Sequence, residues 1–102
     1  MSDILETLTQ SKQQFLADGV EIVGIFGSVA RNEATPTSDV DIAYRLLKEK
    51  FFQKYRGFEA VSKLAEIKNE LSLKLHRKID FISLENSNQE LVNAIKKELV
   101  YV

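Results

Sequence analysis

The sequence predicts an α/β (α+β) domain: a small mixed β-sheet flanked by helices, in the element order α-β-α-β-α-β-α. Three observations predict it. Segments with apolar residues at helical spacing alternate along the chain with short β-branched runs. The 102 residues are 44% hydrophobic, with only four Gly and one Pro, which suits a single domain over residues 1–102 with one modest core. No repeat, low-complexity tract or linker interrupts the pattern. A chain this short has room for a catalytic centre, and hardly any for a second domain to hold a large acceptor.

Ile4, Leu5, Leu8, Phe15 and Leu16 recur at helical spacing, Asp3 with Glu6 gives a capping-box pattern, and Gly19 supplies a stop, so a first helix is expected over Asp3 to Asp18. Val20 to Phe26 is rich in β-branched and apolar residues and runs into a Gly-Ser turn as a buried strand. A short helix over Ser28 to Glu33 follows, then a loop through Pro36. From Asp39 the side chains alternate, with Val40, Ile42, Tyr44 and Leu46 on one side and Asp39, Asp41, Ala43 and Arg45 on the other. Lys48 to Arg56 is charged and aromatic and has no clear period. Phe58, Val61, Leu64, Ala65, Leu71 and Leu75 trace a long helix, and Lys78 to Ser83 returns to strand character. Ser87 and Glu90 form a capping box ahead of Leu91, Val92, Ile95 and Leu99, so the last expected element is a helix.

Charge is nearly balanced, 14 Lys+Arg against 15 Asp+Glu, and implies no global attraction to nucleic acid or anionic membrane. There is no cysteine and His76 stands alone, so a bound metal must be held by oxygen ligands, which selects magnesium or manganese. Asp3 and Glu6 stand where a signal peptide needs basic and then apolar residues, and the longest apolar stretch, Ile22 to Phe26, is too short for a membrane span. A cytoplasmic protein is expected.

The chemistry concentrates in Gly27-Ser28-Val29-Ala30-Arg31-Asn32-Glu33 and Ser38-Asp39-Val40-Asp41. Asp39 and Asp41, one residue apart on a strand, leave the same face about 7 Å apart and can bracket a cation. Two such carboxylates repel unless a counter-charge is present. Asp80 lies between Ile79 and Phe81, and an acid inside an apolar strand needs a reason. If its strand adjoins that of Asp39 and Asp41, three carboxylates converge, a set able to hold two metal ions. Gly27 lets backbone approach a ligand closely, the helix start after it offers amide donors, and the Ser28 hydroxyl and Arg31 guanidinium add contacts for the same triphosphate.

Together these residues resemble the DNA polymerase β-like nucleotidyltransferase superfamily, and in particular its minimal members. Their signature is Gly-Ser, ten residues, then Asp-any-Asp; Gly27-Ser28, the ten residues Val29 to Ser38, and Asp39-Val40-Asp41 match it without adjustment. The resemblance covers nearly the whole chain and implies a nucleotidyltransferase fold. By it, Gly27 and Ser28 bind the nucleoside triphosphate, Asp39 and Asp41 coordinate magnesium, and Asp80 helps hold the catalytic metal and activate the acceptor hydroxyl. Minimal relatives of this size look like the antitoxin half of prokaryotic toxin–antitoxin pairs, partnered with an all-helical HEPN-family RNase toxin. That implies ATP as substrate and a tyrosine of the HEPN partner as AMP acceptor. Two other functions fit the same residues: an antitoxin acting by contact alone, and a nucleotidyltransferase for a small molecule such as an aminoglycoside. Many relatives have Arg and Gly where this chain has Val29 and Asn32, so one basic phosphate contact is absent, and Asn32 must end the short helix in left-handed geometry.

Several residues read as structural. His76, Arg77 and Lys78 look like a solvated helix end; Phe51, Phe52, Tyr55 and Phe58 pack or form a partner surface; Tyr101-Val102 is a frayed or interface tail.

Overall fold

The first helix, α1 (Ser2–Ala17), places Ile4, Leu8, Ser11 and Phe15 on one stripe, each less than a tenth exposed, as a helix laid along a sheet must. The computed structural model describes residues 2–35, 37–85 and 88–102. After α1 come β1 (Val20–Phe26), α2 (Gly27–Ala30), β2 (Val40–Leu46), α3 (Lys48–Lys54), α4 (Phe58–Leu75), β3 (Ile79–Ser83), α5 (Gln89–Glu98) and β4 (Val100–Tyr101). The fold class is the expected one, a mixed sheet flanked by helices, with α3 and β4 added to the seven expected elements.

The described strands form a four-stranded sheet in the order β3-β2-β1-β4. β1 is antiparallel to both β2 and β4, and β2 is parallel to β3. A parallel pair needs a long crossover. Here α3 and α4 supply it. One apolar face of the sheet, Val20, Ile22, Ile25, Val40, Ile42, Tyr44 and Ile79, shares a single core cluster with α1, with Phe51 of α3 and with Ala60, Ile67 and Leu71 of α4. Each large side chain so buried contributes about 1.5–3 kcal/mol. Tyr44 and Phe81 stack at 4.0 Å between centroids, a cross-strand pair that fixes β2 against β3.

Two expectations are corrected, and one unassigned segment proves helical. The buried face of α4 is Ala60, Leu64, Ile67, Leu71 and Leu75; Phe58 is 92% exposed and Val61 68%, since a stripe begun at Phe58 runs one to two residues out of phase with that core face. Residues 48–54, which had no clear period, are helical because Phe51 alone anchors them, wholly buried and in ring contact with Phe52 and Tyr55. The aromatic segment thus divides: Phe51 and Tyr55 pack, whereas Phe52 and Phe58 stay exposed. The last element is a strand and not a helix. Two residues carry too little pattern to be read as β4, and pairing depends on Gly24 of β1, where any Cβ would overlap the Val100 carbonyl. A register shift between Ile22 and Gly24 accompanies this pairing, and the Val102 amide donates to the Val23 carbonyl at 3.1 Å.

At α5 the observed cap is Asn88, whose side chain accepts from the Leu91 amide at 2.8 Å. Ser87 of the expected capping box, like Pro36 of the expected loop, lies outside the described residues. No described helix is long and apolar enough to cross a membrane.

Below α1, Asp18 accepts from the Tyr55 hydroxyl at 3.1 Å and pairs with Lys54 and Lys63, each at 3.3 Å. Burial pushes its carboxyl up, but the bonds from Tyr55, Lys54 and Lys63 outweigh it and hold the group below the usual 3.8. A lowered carboxylate adds stability that is present above 3.8 and lost as pH falls through the lower folded value. Asp18→Asn is therefore expected to cost about 1 kcal/mol at pH 7, a modest figure because water still screens the site, and progressively less below about pH 4. Urea denaturation of both proteins across that range checks it; a pH-independent difference would contradict it.

Candidate active site

The end of β1 sets the site. Phe26 leaves the sheet in extended geometry and Gly27 turns the chain at φ +75, a conformation that suits only glycine without strain. The turn opens α2, a single turn of helix with no side-chain cap on its N-terminus, so its first amides are left for solvent or a ligand. Asn32 ends this segment at φ 61, in the left-handed geometry expected of it. The helix itself is shorter than expected, four residues and not six.

Gly27 lies directly against Asp41. A Cβ built at position 27 would overlap the Asp41 carboxylate oxygen Oδ2 and stand 3.1 Å from its carbon. The glycine is thus required twice, once for its backbone angle and once for the carboxylate beside it.

Asp41 occupies the centre. In register it faces Phe26 across β1 and Asp80 across β3. Paired residues on neighbouring strands point to the same side, which brings the Asp41 and Asp80 carboxyls together. Asp39 lies two residues before Asp41, just ahead of β2 and exposed. Burial pushes the Asp41 carboxyl above its usual range, the charges of Asp80 and Asp39 and a side-chain hydrogen bond with Asp80 push it further, and Arg31 alone pulls it down. Asp39, Asp80 and Arg31 thus all lie within electrostatic range of Asp41.

A cation would relieve the like-charge repulsion at Asp41. The donors are all carboxylate oxygens, the chemistry of magnesium or manganese, and a divalent ion would remove the repulsion that raises Asp41. Among the described residues no group of three acids stands close enough to hold a metal ion as it is. Asp39 and Asp80 are exposed, and Asp41 is partly buried beside them.

Arg31, also singled out from the sequence, is bonded to Glu98 of α5 at 2.8 Å and to Glu33 at 3.5 Å. It ties α2 to α5. The loop before Asp39 is organised as well: the Ser38 amide donates to the Thr35 carbonyl at 3.0 Å and the Ser38 hydroxyl accepts from the Thr35 amide at 2.9 Å. Arg77 reaches across from the end of α4, its Nη1 donating to the Thr35 and Ser38 carbonyls at 3.2 and 3.4 Å. Sequence reasoning missed Arg77 and Glu98. Each contact spans some forty to seventy residues, and nothing local marks either side chain.

The candidate site is thus a glycine turn packed on Asp41, which stands in register with Asp80 across a parallel strand pair. The chain belongs to the polymerase β nucleotidyltransferase family, whose description "Polymerase beta, Nucleotidyltransferase" matches residues 6–102, and it is a nucleotidyltransferase of the minimal, MntA-like kind. It is 34% identical over 106 residues to a Methanocaldococcus jannaschii protein named "Putative protein adenylyltransferase", which covers 100% of this chain and 97% of that protein. It is 26% identical over 103 residues to "Protein adenylyltransferase MntA" of Thermococcus cleftensis, across 100% of this chain and 95% of the other. A solved "Structure of putative minimal nucleotidyltransferase" superposes with a TM-score of 0.66 at 26% identity, covering 96% of this chain and 95% of that one.

Proposed function

We propose that this nucleotidyltransferase moves AMP from ATP to a protein hydroxyl, the acceptor being a tyrosine of a HEPN-family RNase toxin whose activity the modification silences. The observation that carries the reading is the pairing of Asp41 with Asp80 across β2 and β3, with Gly27 pressed against Asp41. It is supported by the relatives named protein adenylyltransferases and by the exposure of Asp39 and Asp80, which an acceptor on another chain could reach.

In this mechanism the Gly27-Ser28 turn receives the β- and γ-phosphates through backbone amides and the Ser28 hydroxyl. Arg31 adds a charge-assisted contact on leaving Glu98. Asp39, Asp41 and Asp80 would hold magnesium, which supplies charge neutralisation at the reacting phosphates. Asp80, on the sheet-edge strand β3, takes the proton of the acceptor hydroxyl as its oxygen bonds to the α-phosphorus. The bond to pyrophosphate breaks in the same displacement. The protein acts in the cytoplasm, where ATP and a toxin partner meet.

Incubation with α-labelled ATP, magnesium and a HEPN partner tests this. Label is expected on a partner tyrosine with the native chain and not with Asp39→Asn, Asp41→Asn. No transfer above that control would overturn the reading. Toxin blocking by the double variant at matched expression would instead mean neutralisation by contact alone.

A further inference from the structure

We infer that Arg77 is a positioning residue that sets Asp39 for metal and nucleotide, and so fixes the two outer acids of the cluster relative to each other. The inference rests on the reading of Asp39 as a metal ligand given above.

Asp39 is the least supported of the three acids. It is exposed, it precedes β2, and the ladder registers begin only at Val40. Its position therefore depends on what holds its two neighbours. On one side, Ser38 is held through its carbonyl by the Arg77 guanidinium, which also takes the Thr35 carbonyl and so grips both ends of the turn. On the other side, the Val40 amide donates to the Lys78 carbonyl at 2.9 Å. Both anchors belong to the same short stretch of chain, which continues two residues later into Asp80.

Arg77 is itself well fixed. His76 ends α4 in left-handed geometry at φ 54, which turns the chain out of the helix. The Arg77 amide then donates to the Ser72 carbonyl at 3.3 Å, and the Ser72 hydroxyl donates to the Arg77 carbonyl at 2.7 Å. The backbone of Arg77 is thus clamped to α4 from both sides, and its side chain spans from that anchor to the loop.

The action is positional. The Arg77 guanidinium holds main-chain carbonyls of the loop, at Thr35 and Ser38. Residues that orient metal ligands from behind typically change metal affinity about 10–100-fold when removed. A loop carboxylate freed by even a fraction of an ångström loses productive geometry.

The experiment measures Mn2+ binding by electron paramagnetic resonance in the presence of a non-hydrolysable ATP analogue, together with thermal melting and amide exchange. Arg77→Ala is expected to raise the half-saturating Mn2+ concentration about tenfold, to speed exchange at the Ser38 amide, and to leave the melting temperature nearly unchanged. Arg77→Lys, which keeps a donor on a long stem, should recover part of the affinity. If Arg77→Ala does not fold, Arg77→Gln is read in its place, since it retains part of the stem. Tight Mn2+ binding by the native chain together with equally tight binding by Arg77→Ala would overturn the positioning role while leaving the functional reading intact. Failure of the native chain to bind Mn2+ with the analogue would overturn both.

Discussion

Asp41→Asn is expected to lower nucleotidyl transfer by about a thousandfold while leaving the metal-free fold at least as stable as the native one. The two effects have one cause. Asp41 stands half-buried between Asp80, its register partner, and Asp39, so its negative charge is disfavoured in the folded chain. Asparagine has nearly the same shape and keeps its contact with Gly27, but it carries no charge. Removing the charge relieves the repulsion, and the expected gain is about 0.5 kcal/mol at pH 7, small because water still reaches the carboxylate. On the proposed reading the substitution also replaces an anionic oxygen ligand of a divalent ion with a weaker neutral one. Magnesium should therefore raise the denaturation midpoint of the native chain and not that of the variant, since only a bound ion shifts the folding equilibrium. Urea titrations with and without magnesium, read beside label transfer, separate the two effects. A variant that lost activity and stability together would show that Asp41 supports the fold instead.

Gly27→Ala is expected to damage both properties. At φ +75 an alanine is strained by roughly 1–2 kcal/mol. Its Cβ also overlaps the Asp41 carboxylate, which must move. Displacing a reacting-site group by about 1 Å costs activity on the order of a hundredfold. The route of the damage is open to a double-mutant cycle with Asp41→Asn. If the activity loss passes through the Asp41 carboxylate, Gly27→Ala adds almost nothing to the loss in the Asp41→Asn background, yet it still lowers stability there. Independent, multiplying activity losses would mean that Gly27 serves the triphosphate alone.

Much of the site was legible because its parts are local. The strand Val40–Leu46 showed itself through alternation, and the same alternation put Asp39 and Asp41 on one side. Gly27 and Ser28 stood out at the junction of a strand and a helix, and Asp80 as an acid in an apolar strand. Less local features were hidden. The α4 stripe was misphased because Phe58 and Val61 are as apolar as the residues that the core takes. α3 has one buried anchor, too few for a period. β4 is two residues long and exists because Gly24 leaves space for it. Arg31 looked free for phosphate, and only the arrival of α5 beside α2 revealed Glu98 as its partner.

By itself, then, the sequence determined which segments are helices and strands around the site, and which residues are candidates for the chemistry. Periods of 2 and 3.6 residues are written in neighbouring positions, and a turn that needs glycine shows as glycine. Tertiary structure decided that β3 lies parallel to β2 with Asp80 opposite Asp41, that Gly27 touches the Asp41 carboxylate, and that Arg77 grips the loop of Asp39. Strand order and register between segments nearly forty residues apart follow from how α1 and α4 cover one sheet face, and no local pattern encodes that choice.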